Sequence, residues 1–506
     1  MDETGERLRA AGREFLAAAW EVLQEQRVVP PPVFHPYVEV GRDYYGDAVR
    51  SSQYRALESV IEAAHPRFHP DRPLGEREFP SGYIFTFLES FIARLTISRE
   101  EFSVEGPAAT QALQDLEDAV RADTVEVACC RVVSHLTTAS GHPIDFVDLR
   151  VVPVTAEAHQ HRSELQAIIS DAIPGATSAY SREDPGGYAP PESVVIARDR
   201  GPKPFELGER LSGRIERFLL LVRLLKPGTS ESMFEVVGET RPVRQFRPTL
   251  GRFRGAGPGS SSPTQLAARA ITLRPEDVGR VAGLDALMAS VEHVRPGMLF
   301  TSFGLALHKF MLSYHAHAWH EQIVDLATAF EAALSGKSHN DVTLRLKVRA
   351  SGLLVTERDP ADAIFKDIGL LYGIRSTLVH GGEAKTTGIL KQLRGLSTMP
   401  KSALDGEATG HAVERLRDLV RRALLARICL AAGEEPRWSL AGDNDSHVDV
   451  ALADDVQRSE WRAGWREELS AIGALASADR PTVPSKPAMV VLDEEKDEGL
   501  NLTGDT

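Results

Sequence analysis

The chain has 506 residues, enough for about three to five domains of ordinary size. Hydrophobic residues make up 42% and charged residues 26%, which excludes a wholly disordered chain because a core can be buried. The net charge of −14, from 58 basic and 72 acidic residues, argues against a protein whose whole surface coats nucleic acid or an anionic membrane.

The cysteine count and the lengths of the apolar stretches exclude further classes of protein. Three cysteines, Cys129, Cys130 and Cys429, are too few for a disulfide framework or a four-cysteine zinc site. The chain opens without the basic start and apolar run of a secretory signal. Charged residues interrupt the apolar stretches 83–97 and 215–225 before about 20 residues are reached. We therefore expect a cytoplasmic protein with reduced thiols and no membrane span.

The first part of the chain is predicted to be helical. Apolar residues recur every three or four positions in four segments, 4–27, 51–64, 81–97 and 107–122. In the first of them, Leu8, Phe15 and Leu23 fall on one face. Prolines follow that segment at once and predict its end.

Strand formers dominate the next part. Segments 125–136 and 144–154 are rich in Val, and Gly141-His142-Pro143 lies between them, which predicts a hairpin or two neighbouring strands. Adjacent Cys129 and Cys130 would point to opposite faces of the first strand. Further helices are predicted at 163–172 and 207–225, and further strands at 193–197 and 233–237. Residues 1–255 are thus predicted to be a mixed α/β region of unknown function that senses or binds something, with an unidentified trigger as its ligand.

The second half is predicted to be almost wholly helical. Residues 256–297 are interpreted as a linker and connecting segment, because Gly and Ser crowd its start. A helical bundle is expected over 298–435, a helical extension over 436–478 and a disordered acidic tail over 479–506. Within the bundle the predicted helices are 302–334 (one helix or two), 341–354 capped by Asp341, 359–380, and 409–432 before Gly433. The fold class predicted is α+β.

One segment carries a resemblance to a known family. It reads Leu370-Leu-Tyr-Gly-Ile-Arg375-Ser-Thr-Leu-Val-His380-Gly, with four residues between the Arg and the His. This resembles the signature of the HEPN superfamily near the end of a bundle helix. Upstream, residues 330–334 and 344–354 resemble the Glu-containing segment and the Arg-Ala-x-x-Leu-Leu helix of Apea-like HEPN domains. The resemblance covers about residues 300–432.

The resemblance implies a function and a set of site residues. Catalytic HEPN domains dimerise and form a composite, metal-independent ribonuclease site, so RNA is the implied substrate, a homodimer the active form, and no metal or cofactor is expected. By resemblance, His380 transfers protons and Arg375 stabilises the charged phosphorane. Ser376 stands where active members usually carry Asn, Asp or His, and Glu331 and Arg349 are supporting residues expected to pair within the bundle. Phage defence or toxin-like growth arrest is the implied biology.

The residue types agree with such chemistry but leave alternatives open. The reference pKa of His, near 6.5, suits proton transfer at neutral pH, and Arg can clamp phosphate oxygens with two parallel hydrogen bonds. The same pair can instead belong to a non-catalytic HEPN module that binds RNA or protein and dimerises. A third interpretation is an unrecognised enzyme in 1–255 that uses the bundle to dimerise.

Other candidate residues have plainer interpretations. Four histidines crowd the predicted helix that starts at 302, without a convincing further metal ligand: His308, His315, His317 and His320. His65 and His69 lie among prolines, which predicts a surface loop, and His159 and His161 are predicted to be exposed. An Arg- and Phe-rich stretch over 241–254 suits single-stranded nucleic acid or a loop leading into the linker. Residues 385–427 carry nine basic and four acidic residues, a balance that favours a phosphate backbone.

Overall fold

The architecture is taken from a computed structural model. It describes residues 3–25, 51–72, 79–98, 102–155, 158–173, 191–202, 204–240, 270–292, 301–316, 318–335, 341–356, 358–379, 386–433, 435–440 and 446–475. Four predicted features lie outside these ranges: the Gly- and Ser-rich start of the linker, the Arg- and Phe-rich stretch, His380 and the acidic tail. Among the helices of the described ranges, none has the length and apolar character needed to cross a bilayer.

The first described part is helical and has a core of its own. It comprises α1 (Glu3–Glu25), α2 (Ser52–Ala64), a single 3-10 turn (Pro66–Phe68), α3 (Pro80–Ser98) and α4 (Pro107–Arg121). Phe15, Phe87 and Leu116 are at most 1% exposed in this core. The predicted helices are confirmed to within two residues at each described end, because each carries a regular apolar stripe.

The strands form an antiparallel sheet and a separate pair. The sheet contains β1 (Val125–Ser134), β3 (Ile144–Asp145), β4 (Leu149–Pro153), β5 (Pro191–Gly201) and β6 (Glu231–Glu239) in the order β3-β4-β5-β1-β6. The pair consists of β2 (Leu136–Thr138) and β7 (Ile271–Leu273), which run parallel.

The expected pairing of the first two predicted strands is wrong. Strand β5 lies between β1 and β4, pairing with both, while β6 covers the other edge of β1. The physical reason is that nine of the ten residues of β1 are buried, so this strand is central and needs a partner on each side. The tight hairpin is instead formed by the short strands β3 and β4.

A helix covers each face of the sheet. Helix α6 (Pro204–Leu225) packs on the face that carries Cys129, and α5 (Ala158–Ala172) on the face that carries Cys130. The two neighbouring cysteines therefore point to opposite faces, as the strand geometry predicts. Both are fully buried free thiols.

Nine helices follow β6 and β7 in the described ranges. They are α7 (Asp277–Glu292), α8 (Ser302–Leu312), α9 (Trp319–Leu334), α10 (Val342–Leu353), α11 (Ala361–Val379), α12 (Thr386–Leu393), α13 (Asp405–Ala431), α14 (Ser446–Ala453) and α15 (Asp455–Ala471). The segment 302–334 is two helices. A bundle-like helical half and an antiparallel sheet together confirm the α+β class.

Three details differ from the predictions. Strand β7 and helix α7 occupy much of the segment interpreted as a linker, and Leu284 and Met288 of α7 are buried in the core. Helix α12 was not predicted. Asp341 precedes α10 in a left-handed conformation, φ 50°, and its side chain makes no capping hydrogen bond. By contrast, Gly433 follows α13 with φ 91°, the conformation in which glycine ends helices.

One hydrophobic core joins the sheet to the bundle. Helix α6 contributes Leu211 and Phe218 to the same buried cluster as Phe330 of α9 and Leu419 of α13. Polar contacts cross the same junction: Arg421 Nη1 donates to the carbonyl oxygen of Leu224 at 3.2 Å. The sheet with α6 and the helices from α7 onward therefore share an interior.

Candidate functional site

Helix α11 places the motif residues along the edge of its buried face. Ile364, Ile368, Leu371 and Ile374 recur at helical spacing and are at most 2% exposed, so they fix the rotation of the helix. Arg375 follows directly, and its side chain is 23% exposed. The site is therefore at the surface of the bundle, not sealed in its core.

Arg375 has two orienting neighbours. Tyr372, three residues earlier and so on the same side of the helix, places its ring 5.5 Å from the guanidinium carbon. Glu331 of α9 has its Oε2 3.9 Å from Arg375 Nη2. The cation thus lies near both an aromatic ring and a carboxylate.

Tyr372 and Glu331 are also joined to each other. Tyr372 Oη donates to Glu331 Oε2 at 2.7 Å. Burial raises the pKa of Tyr372 to about 12, and the hydrogen bond to Glu331 and its negative charge act in the same direction. The hydroxyl is therefore protonated near neutral pH and remains a donor. The spacing of three between Tyr372 and Arg375 was the sequence signal that could have linked Tyr372 to the site.

The N–H groups of Arg375 are unused within the described part of the chain. Its Nε is buried without a hydrogen-bond partner, and the 3.9 Å separation from Glu331 is too long for a hydrogen bond. Arg422 also has a buried Nε without a hydrogen-bond partner. Its terminal nitrogens, however, donate to the carbonyl oxygen of Leu354 and to Asp359. Arg375 is thus held in place, with its Nε buried and its terminal N–H donors available to a ligand.

Two further predicted site residues, Ser376 and His380, follow Arg375 in the sequence. Ser376 is half-buried beside Arg375. His380 is the residue after the last one described in α11, so its geometry relative to Arg375 stays a prediction.

Arg349 differs from the expectation that it pairs with Glu331. It is 1% exposed, donates to Asp449 Oδ1 at 2.7 Å and to the carbonyl oxygen of Leu334 at 2.6 Å. The reason is that Leu334 is the last residue of α9, where the unsatisfied carbonyl groups of the helix attract a cation. Arg349 therefore fastens α10 to α9 and α14, whereas Glu331 belongs with Tyr372 and Arg375.

Five of the nine basic residues counted over 385–427 are buried and cannot contribute to an open phosphate-binding surface. Five arginines of α13 are at most 6% exposed: Arg415, Arg417, Arg421, Arg422 and Arg427. Arg415 and Arg422 meet Asp359, Arg421 meets Asp418, and Arg427 donates to the carbonyl oxygen of Trp438 at 3.1 Å. The charge count did not reveal this burial, and the terminal nitrogens of these five cations donate to oxygens inside the protein.

Those histidine candidates whose side chains the structure describes do not assemble into a metal centre. Within the described ranges, which omit His317 and His380, no three His, Cys, Asp or Glu side chains lie close enough to hold an ion. His65 accepts from the backbone N–H of Arg67 and starts the 3-10 turn. His69 lies 3.2 Å from Asp71. The side chains of His159 and His161 lie outside the described part.

A cleft of about 610 Å³ opens beside the sheet. Its lining combines apolar residues such as Val152, Ile168 and Ile196 with charged residues such as Asp171 and Arg198. It lies between α5 and the β3–β4 hairpin side of the sheet. The cleft shares no lining residue with the surroundings of Arg375.

Comparison of the chain with protein-family models, with curated proteins and with solved structures found no match. The resemblance to HEPN domains therefore depends on the three sequence segments, and the physical case for a site depends on the surroundings of Arg375.

Proposed function

We propose that the protein is a metal-independent endoribonuclease whose site contains Arg375 and His380. The observation that carries the proposal is that Arg375 is oriented by Tyr372 and Glu331 but makes no hydrogen bond to the described residues. A guanidinium held in this way is ready to donate two parallel hydrogen bonds to a phosphate group. RNA is the proposed substrate.

The proposed reaction is attack of a ribose 2′-oxygen on the neighbouring phosphorus. A base takes the 2′-hydroxyl proton, the bond to the 5′-oxygen breaks, and an acid protonates that leaving oxygen. A 2′,3′-cyclic phosphate end and a 5′-hydroxyl end result. His380 is suited to either proton transfer, and Arg375 would stabilise the negative charge on the phosphorane.

One chain supplies one such pair, so a second copy of the chain is proposed to supply the other. Two His380 residues across a dimer axis would provide both the base and the acid. The active form is therefore proposed to be a homodimer formed through the helical half. Phage defence or toxin-like growth arrest is the proposed biological role, with the trigger acting on the region before the bundle.

A non-catalytic HEPN module is the second candidate. The carboxylate of Glu331 lies 3.9 Å from Arg375 and partly neutralises the positive charge that would attract a phosphate. Ser376 is also shorter than the Asn, Asp or His usual at its position in active members. In this case the module would bind RNA or protein without cleaving RNA.

Incubation of the purified protein with total RNA in EDTA tests the proposal. We expect cleavage with 2′,3′-cyclic phosphate ends, and its loss in Arg375→Ala and in His380→Ala. The matched controls are Arg394→Ala, which removes an exposed arginine paired with Asp405, and His308→Ala, which removes an exposed histidine.

Each result has a defined meaning. Cleavage that persists in both site variants would show that a contaminant or another site is responsible. RNA that is retained but intact at high protein concentration supports the non-catalytic module instead. Light scattering on the same samples measures whether the chain is a dimer.

A further inference from the structure

Two donors face one carboxylate oxygen at unequal distances. Glu331 Oε2 accepts the hydroxyl of Tyr372 at 2.7 Å, whereas Arg375 Nη2 stays 3.9 Å away from it. A fully buried arginine of the bundle is in full contact with its carboxylate: both terminal nitrogens of Arg415 donate to Asp359 at 2.8 Å. The partly exposed Arg345 lies 3.5 Å from Asp449. The Glu331–Arg375 separation of 3.9 Å is longer than either of these.

The hydroxyl of Tyr372 competes with Arg375 for the same oxygen of Glu331. A carboxylate and a guanidinium attract each other most strongly as a two-point hydrogen-bonded pair. The hydrogen bond from Tyr372 occupies one of the two lone pairs of Oε2 and restricts the rotation of the Glu331 carboxylate. The ring of the same tyrosine also supports the guanidinium from one side, 5.5 Å from its carbon. Tyr372 thus contacts both charged groups.

We propose that Tyr372 is a positioning residue that keeps Glu331 from closing onto Arg375, so that the terminal N–H donors of Arg375 remain free for an RNA phosphate. The proposal deepens the ribonuclease function and rests on it. Glu331 then acts at a distance: it attracts and aims the guanidinium but does not occupy its donors. When the hydroxyl is removed, the carboxylate is released to pair with Arg375 and to compete with the phosphate.

Three variants test this competition: Tyr372→Phe, Glu331→Gln, and the two combined. Tyr372→Phe keeps the ring and removes only the hydroxyl. We expect it to raise KM for a single-stranded RNA about tenfold, the scale of one competing charge-assisted hydrogen bond, with a smaller change in kcat. The combined variant removes the competitor as well, so its KM should return to within about twofold of Glu331→Gln alone.

Binding is measured in parallel with a fluorescein-labelled single-stranded RNA whose 2′-oxygens are methylated. This RNA cannot be cleaved, because a methylated 2′-oxygen cannot attack the neighbouring phosphorus. The dissociation constants should follow the same order as KM. Tyr54→Phe serves as the control, because it removes a buried tyrosine hydroxyl from the separate N-terminal core. It should leave both quantities unchanged.

The outcomes separate this proposal from the proposed function. If the wild-type chain cleaves RNA but the combined variant is as weak as Tyr372→Phe, the positioning role is overturned while the ribonuclease function stands. If Glu331→Gln alone weakens binding as strongly as Arg375→Ala, Glu331 assists binding and the proposal is also overturned. If the wild-type chain neither cleaves nor binds in an Arg375-dependent manner, both proposals fail.

Discussion

Asp359 is a buried anion on which two cations of the bundle depend, and its neutralisation should destabilise the protein strongly. Arg415 donates to its two oxygens at 2.8 Å each, and Arg422 donates to one of them as well. All three side chains are at most 2% exposed. The substitution Asp359→Asn keeps the size of the side chain and removes its charge.

The structure sets the magnitude of the effect. Breaking a buried ion pair costs about 3–5 kcal/mol, because the remaining charge stays buried without compensation. Each arginine here keeps a second carboxylate: Arg415 Nε lies 2.9 Å from Asp367, and Arg422 Nε lies 3.1 Å from Asp418. We therefore expect a loss at the lower end of that range, about 3 kcal/mol in the free energy of unfolding.

Urea unfolding followed by tryptophan fluorescence measures this loss. Four of the five tryptophans lie between residues 319 and 465, so the signal reports mainly on the helical half. Asp405→Asn is the control, because its pair with Arg394 has both side chains more than half exposed and should be worth less than about 1 kcal/mol. Equal shifts of the two unfolding midpoints would refute the reasoning.

Three further predictions concern pH, thiol reactivity and packing. Burial alone would raise the pKa values of Asp359 and Asp418, but the neighbouring arginines outweigh it and hold both below the ordinary 3.8. The stability that these two carboxylates contribute should therefore be complete above pH 3.8 and fall as the pH is lowered further. Unfolding free energies measured as a function of pH test this. Burial raises the pKa values of all three cysteine thiols, so we expect no reaction with a disulfide reagent at pH 8 until the chain is unfolded, when three thiols should react. On helix α7, Gly283→Ala would bring a Cβ to 2.8 Å from the Cβ of Ile472 and should destabilise the protein by about 1–3 kcal/mol. Gly279→Ala meets no atom within 4 Å, so it should be neutral or stabilise the protein by up to about 1 kcal/mol. Thermal unfolding of both variants measures the difference.

Local patterns in the sequence predicted the helices well and the strand order poorly. Helix α3 was predicted at 81–97 and spans 80–98, because its apolar spacing is set by its own residues. The partners of β1 are β5 and β6, which lie up to about a hundred residues further along the chain. The nearest predicted strand, 144–154, pairs with β5 instead of β1. The almost continuous apolar run of β1 was nevertheless a signal for a central strand.

The site was predictable only in part. The resemblance identified Arg375, Glu331 and Arg349 as a group, since family motifs record position in sequence. It did not show which carboxylate each arginine would meet, because that depends on how neighbouring helices are rotated. The pairing of Arg349 with Asp449 joins residues a hundred positions apart, and no spacing rule connects them.

Helix α6 has a consequence for how the chain can be divided. Its buried side packs on the sheet, and its last turn receives a hydrogen bond from Arg421 of α13. A fragment that begins at residue 298, after the glycine-rich segment, would lack helix α6. The core that Phe330 and Leu419 share with that helix would then be exposed to solvent. The smallest fragment expected to keep its shape therefore begins at β1, even though the sequence itself suggests a cut much later.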